Sequence, residues 1–305
     1  MKQLKGIFLA IISSSTFGMI PLFALPALKA GMNTESVLLY RFVVSTILIG
    51  GYLLLKKENL KVTFKEFATL FVLGVFYALT ALFLTGSYLY LPSGIGTTIH
   101  FLYPVVVTGI MILFYKSKAS IPVLIASVMA ILGVYLLSMN EGAGEISIKG
   151  IGMVLITVFT YAIYIVGVNK SCVSKMDGLK MTFYVLLGSA IVFLINLLIS
   201  GNELSAVPNL SVGMNLFLLA LVPTVVSDLA LILAIQNVGS TTTAILGCME
   251  PVTAVAFGVM LLNEHFGLSQ VFGIAIILLA VTLVIIDSAG LLKKKKINSQ
   301  KNLVI

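Results

Sequence analysis

Ten runs of about twenty mostly apolar residues follow one another along this 305-residue chain: 6–25, 36–55, 68–90, 94–115, 119–139, 151–169, 181–199, 214–235, 241–262 and 267–287. Each is long enough to cross a hydrocarbon layer as a helix, which takes roughly 20 residues. Hydrophobic residues make up 59% of the chain and charged ones 10%, against about a quarter charged in soluble domains. A water-soluble fold of this length has no room to hide so much apolar side chain, so lipid is the expected solvent. The expected fold class is all-α integral membrane, with ten transmembrane helices.

The charges fit that layout. With the N-terminus inside, the cytoplasmic positions hold Lys2, Lys5, Lys56, Lys57, Lys61, Lys65, Lys116, Lys118, Lys170, Lys175, Lys180 and the tail lysines Lys293, Lys294, Lys295, Lys296 and Lys301. Only Lys29 and Lys149 fall outside, and Arg41 lies just within the second span. Basic residues resist translocation, so both termini are expected in the cytoplasm. The basic tail reads as a topology signal beside anionic lipid, and no nucleic-acid partner is expected. The first run could pass for a signal peptide, but its repeat mate at 151–169 argues that it is retained.

Two halves are visible. LKGIFLAIISSSTF (4–17) matches IKGIGMVLITVFTY (148–161) at an offset of 144, and Ser93, Pro104 and Val105 match Ser240, Pro251 and Val252 at an offset of 147. The matched proline inside the fourth run of each half is the stronger signal. Five helices per half is an odd number, so the second half enters the membrane in the opposite sense. Residues 1–139 and 140–290 are thus expected as two inverted five-helix repeats, followed by a basic tail at 291–305. Inverted repeats recur in secondary transporters, with the substrate site near the midplane between them.

Two of the eleven acidic residues, Asp228 and Glu250, fall in mid-span. A carboxylate at a helix centre costs about 2.5–3.5 kcal/mol on insertion scales, so neither faces lipid. Each faces a polar cavity, pairs with a partner or takes a proton. Glu250 and its repeat mate Tyr103 each precede a proline, Pro251 and Pro104. A proline frees the carbonyl four residues back, here that of Gly247 or His100. Such backbone is tolerated in a membrane where it lines a cavity or finds a partner. His100 is expected as a neutral imidazole bonded to a hydroxyl or backbone group, with proton carriage as its alternative. Thr157, Thr160, Tyr161 and Tyr164 share one helical face, Thr16 and Phe17 hold the matching positions of the first span, and Tyr77 and Ser227 also reach the centre. An aromatic, hydroxyl-bearing lining suits an organic metabolite better than a bare ion. Asp228 reads equally as a proton site or inner-gate residue and as a carboxyl bonded to a neighbouring helix. Arg41, the one arginine, is expected to make a structural pair with an external acid such as Glu35 or Glu264. Cys172 and Cys248 make no disulfide framework or metal motif, and no metal or cofactor is expected.

The run MEPVTAVAFGVMLLNEHFGLSQVFGIAIILLAVTLVI (249–285), with Glu250-Pro251, Gly258, Glu264, Gln270 and Gly273, and the first-half run YLPSGIGTTIHFLYPVVVTGI (90–110) resemble the EamA-type family of the drug/metabolite transporter superfamily. The resemblance spans about the whole chain. One departure is Phe17-Gly18, where many members carry tryptophan before the glycine; this chain has no Trp. The resemblance implies export of small metabolites such as amino acids, or of toxic compounds, often driven by a cation gradient. The expected partners are a small-molecule metabolite, the lipid bilayer and protons, in a monomer or homodimer of the bacterial inner membrane. Two other classes compete with this reading. An intramembrane enzyme would use His100, Asp228 and Glu250 for metal or acid–base chemistry, but neither HExxH nor GxSxG accompanies them. A scaffold or sensor would need an output domain, and no polar stretch exceeds about a dozen residues. No P-loop is present to draw on ATP.

Overall fold

A computed structural model describes residues 2–91, 93–117, 120–138, 147–200, 203–262 and 267–288. Among them every regular element is helical. The first half comprises α1 (Lys2–Phe17), α2 (Ile20–Lys29), α3 (Thr34–Leu55), α4 (Phe64–Ser87), α5 (Ser93–His100), α6 (Tyr103–Leu113) and α7 (Ile121–Ser138). The second comprises α8 (Ile148–Lys170), α9 (Gly178–Ser200), α10 (Leu210–Ala220), a π-helical segment (Leu221–Val226), α11 (Ser227–Val238), α12 (Ser240–Leu246), α13 (Met249–Leu262) and α14 (Leu268–Ser288). Six stretches are long and apolar enough to cross a membrane: Lys2–Lys29, Thr34–Leu55, Phe64–Ser87, Ile148–Lys170, Gly178–Ile199 and Leu210–Val238. Glu141, Glu145, Glu264, Lys118 and the tail lysines lie outside the described residues.

Polar caps set where these helices start. Asn33 Oδ1 accepts from Ser36 N (2.8 Å) and Asn209 Oδ1 from Val212 N (2.9 Å). Thr63 and Glu66 form a reciprocal capping box, satisfying two N–H groups that an apolar helix leaves orphaned. Between α11 and α12 the chain reverses at Gly239, whose φ of +82° is open to glycine and strained for other residues.

The outer surface is apolar. Ile47, Val72, Leu132, Phe159, Leu198 and Phe272 are exposed, while Arg41, His100, Asp228 and Glu250 are buried. That inversion of the soluble pattern is what a lipid solvent selects. Between helices the close contacts run through small residues, as expected where burial from lipid gives little drive. Gly74 on α4 faces Val185 O and Gly188 on α9, and Gly133 on α7 faces Gly273 O on α14. The most extensive packing pairs are α7 with α14, α1 with α11, α4 with α8, α4 with α9 and α3 with α9. Each joins one half of the chain to the other.

Two serines tie the halves to each other from opposite sides. Ser45 Oγ on α3 donates to Ala220 O at the end of α10 (2.9 Å), and Ser189 Oγ on α9 donates to Gly74 O on α4 (2.9 Å). Both also reach back to the carbonyl four residues earlier on their own helix.

Candidate functional site

Three apolar runs are broken, and each break lies two to four residues before a proline. The helix stops at Gly18-Met19 ahead of Pro21, at Phe101-Leu102 ahead of Pro104, and at Gly247-Cys248 ahead of Pro251. Loss of the proline N–H explains the interruption. The breaks meet. A Cβ on Gly18 would overlap the main-chain carbonyl of Glu250, and one on Gly247 would overlap the hydroxyl of Tyr103. Of the two fates expected for the freed Gly247 carbonyl, it takes a partner: the Glu250 N–H donates to it at 2.9 Å.

Gly18→Ala is expected to be costly. Both sides of that contact are backbone and cannot rotate away, so a helix must shift. Overpacking of this kind costs about 1–3 kcal/mol, and a lowered Tm of the detergent-purified protein checks it.

Around the breaks the aromatic side chains form a continuous ladder. Phe42 contacts Tyr77 (ring centroids 5.6 Å apart), Tyr77 stacks on Tyr164 (5.0 Å), and Tyr164 on Tyr161 (6.1 Å). Tyr161 then meets Phe17 (5.9 Å), His100 (5.2 Å) and Tyr103 (4.7 Å). Tyr77, His100, Tyr103, Tyr161, Tyr164, Asp228 and Glu250 are each 5% exposed or less, so the centre is closed to solvent. The Phe17 ring, rather than Thr16, is what the first helix brings to Tyr161. Thr16 is half-buried and its hydroxyl turns back onto Ile12 O (2.7 Å).

His100 Nδ1 lies 2.7 Å from Thr157 Oγ1, and Thr157 Oγ1 lies 2.6 Å from Val154 O. Two oxygens that close need the hydroxyl proton between them. With Thr157 donating to Val154, the matching tautomer has His100 donating from Nδ1, which makes Nε2 the acceptor. Nε2 is buried and has no hydrogen-bond partner. His100 and Glu250 share Tyr103 as a neighbour but are not bonded to each other.

The second acid sits at the other end of the ladder. Asp228 Oδ1 accepts from the Tyr164 hydroxyl at 2.7 Å, while its Oδ2 is buried without a partner; the buried Tyr77 hydroxyl makes no well-formed hydrogen bond but lies close to Arg41. Arg41 corrects an expectation. It is 1% exposed and turns inward, with Nε donating to Thr224 Oγ1 (2.7 Å) and Nη2 to Pro223 O (3.4 Å). The Glu35 side chain is not its partner, and Glu264 lies outside the described residues. Arg41 lies within electrostatic reach of Asp228 and Tyr77.

Its acceptors belong to the π-helical turn, which the sequence reading missed. Pro223 cannot donate to Leu219 O, and the Thr224 hydroxyl fills that place at 2.7 Å. Ser45 takes Ala220 O and Arg41 takes Pro223 O, so the widened turn is bonded from all sides. Such π turns cluster at functional sites; the available signal was Pro223 five residues before a buried acid. Ser227 donates to Ser13 O (2.9 Å) and fastens α11 to α1. Among the described residues no three His, Cys, Asp or Glu side chains gather closely enough to hold a metal ion, so the trio His100, Asp228 and Glu250 is not one constellation.

Comparison with known proteins follows the same division of the chain. The profile of the EamA-like transporter family matches residues 4–139 and again 148–286. The chain is 22% identical over 245 residues to an uncharacterized transporter, YdfC, of Bacillus subtilis (strain 168), a match covering 79% of each chain. It is 26% identical over 143 residues to an uncharacterized transporter of Archaeoglobus fulgidus, covering 47% of this chain and 49% of that one. A protein known from a crystal structure shares the fold, with a TM-score of 0.77 at 13% identity over 95% of this chain and 98% of the other. An apolar helical bundle, acids buried at its centre and a profile matched twice lead to one assignment: this integral membrane protein belongs to the EamA-like transporter family.

Proposed function

We propose that the chain is a secondary transporter that exports a small organic metabolite by alternating access. Its two inverted five-helix halves, 1–139 and 140–290, rock about the aromatic ladder, and a proton gradient drives the cycle. The observation that carries this reading is the meeting of three proline-marked helix breaks, from both halves, around Glu250, Tyr103 and Tyr161. Broken helices at mid-membrane are how transporters present polar groups to cargo. Tyr77, Tyr164 and Asp228 extend the lining, and His100 adds an acceptor.

The packing supports ten spans related by a twofold exchange of halves. Under it α1 corresponds to α8, α4 to α10 and α11, and α3 to α9. The contact of α1 with α11 then corresponds to that of α8 with α4. Ser45 and Ser189 stand 144 residues apart, and their two cross-ties are the same bond made twice. The test is flux in proteoliposomes, screening labelled amino acids and related metabolites with and without an imposed pH gradient. Saturable, gradient-stimulated flux is expected. Absence of any flux across the screen counts against the transport reading.

The orientation, with both termini on the cytoplasmic side of a bacterial inner membrane, has its own check. Cys172 is exposed in the α8–α9 turn and Cys248 is buried. A membrane-impermeant maleimide is expected to label Cys172 in inside-out vesicles and to spare it in intact cells. The opposite pattern reverses the topology.

A further inference from the structure

In the aromatic centre, two acceptors are buried without a partner, and the donors nearby are tyrosine hydroxyls. His100 presents the lone pair of Nε2, fully buried and undonated. Asp228 Oδ2 is in the same condition. The Glu250 side chain is 5% exposed, and among the described residues no cation acts on it. Arg41 is the one buried cation there; it donates to Thr224 and Pro223 O and balances Asp228 rather than Glu250. The rings of Tyr103 and Tyr161 pack on His100, Phe17 stacks on Tyr161, and Gly18 and Tyr103 bring this cluster to the Glu250 turn. Ring faces carry negative potential. A lone carboxylate, a bare imidazole nitrogen and aromatic faces are complementary to a cation that carries hydrogens.

We propose that the cargo is a protonated organic amine, primary or secondary, whose ammonium group is received by Glu250 and His100 Nε2 among the rings of Phe17, Tyr103 and Tyr161. The inference rests on the transporter reading and narrows its cargo. A carboxylate or phosphate would face the Glu250 and Asp228 carboxyls with only tyrosine hydroxyls to donate to it. A quaternary ammonium would satisfy the rings and the acid but leave Nε2 without a donor. Arg41 acts on Asp228, whereas among the described residues Glu250 has no cation beside it.

Phenethylammonium, 3-phenylpropionate and phenylalanine share a ring and differ in charge, which makes them suitable probes for calorimetric titration of the detergent-purified full chain. Saturable binding of phenethylammonium is expected, with 3-phenylpropionate silent. Glu250→Gln is expected to weaken the amine by about tenfold or more, the size of a lost charged hydrogen bond. Glu250→Asp is expected to stay within a few-fold of the parent, and His100→Ala to fall between. Both Glu250 variants must elute as the parent does on gel filtration. Amine binding indifferent to Glu250→Gln, equal binding of 3-phenylpropionate, or no binding of the amine overturns the proposal. The two readings fail separately. Flux of an anionic metabolite in the liposome screen without amine binding removes the amine and keeps the transporter. Amine binding without flux of any cargo, phenethylammonium included, does the reverse.

Discussion

Glu250→Gln is expected to abolish gradient-driven transport in proteoliposomes while the protein still inserts and folds. Glutamine has nearly the same shape, so the packing of Gly18 against the Glu250 carbonyl and of Tyr103 over Gly247 is undisturbed. What disappears is a group able to exchange a proton or hold a cation at the meeting of the helix breaks. A charged hydrogen bond contributes up to about 3 kcal/mol, so the driven component should fall on the order of a hundredfold. The amide also places no charge in the membrane, so the variant should be at least as stable as the parent. Full transport by the variant at every pH removes Glu250 from the coupling mechanism. Wild-type flux indifferent to the gradient makes the protein a uniporter.

Arg41→Ala should have the largest effect on stability. It deletes a buried cation and strands Thr224 Oγ1, Pro223 O and the charge of Asp228 together. Breaking a buried charged set costs about 3–5 kcal/mol, read as a large drop in the midpoint of unfolding in mixed detergent. Arg41→Lys should recover little, because an ammonium cannot reproduce the planar fork that addresses two acceptors on one π turn. Adding Asp228→Asn should relieve part of the loss, since a neutral amide needs no counter-charge. Strict additivity of the two substitutions would show that Arg41 serves the backbone turn alone.

Much of the bundle was legible because periodicity is unnecessary for it. Where described, all ten apolar runs are mainly helical, and the prolines at 104 and 251 marked two real breaks. The third break carried the same signal in Gly18 and Pro21. It went unread because the first run was judged by its apolar length. The π turn was missed for a related reason: hydrophobicity is blind to a backbone carbonyl, and Pro223 displaces one.

Arg41 shows the sharper limit. Sequence position gives depth along a helix but not azimuth, and depth alone set Arg41 among external acids. Its face was recoverable from Ser45, one turn away, since residues four apart point the same way and Ser45 binds Ala220 O. The sequence places Thr16 and Phe17 both at the centre, and only the structure tells that it is the Phe17 ring that meets Tyr161. Which polar groups would be left unpartnered, Nε2 of His100 above all, depended on what packs around each one, and no pattern of residue types contains that.

The three helix breaks also bear on how the molecule transmits force. An unbroken helix is a stiff lever: pushing one end swings the other. A rod cut at its middle carries no bending moment across the cut. In α1 with α2, α5 with α6, and α12 with α13, the two ends of each run are separate levers sharing a pivot. Because the pivots touch one another through Gly18, Tyr103 and Gly247, a tilt at one membrane face need not be copied at the other. For the alternating access proposed above, such a build would supply two shutters on one hinge line, one able to move while the other stays shut.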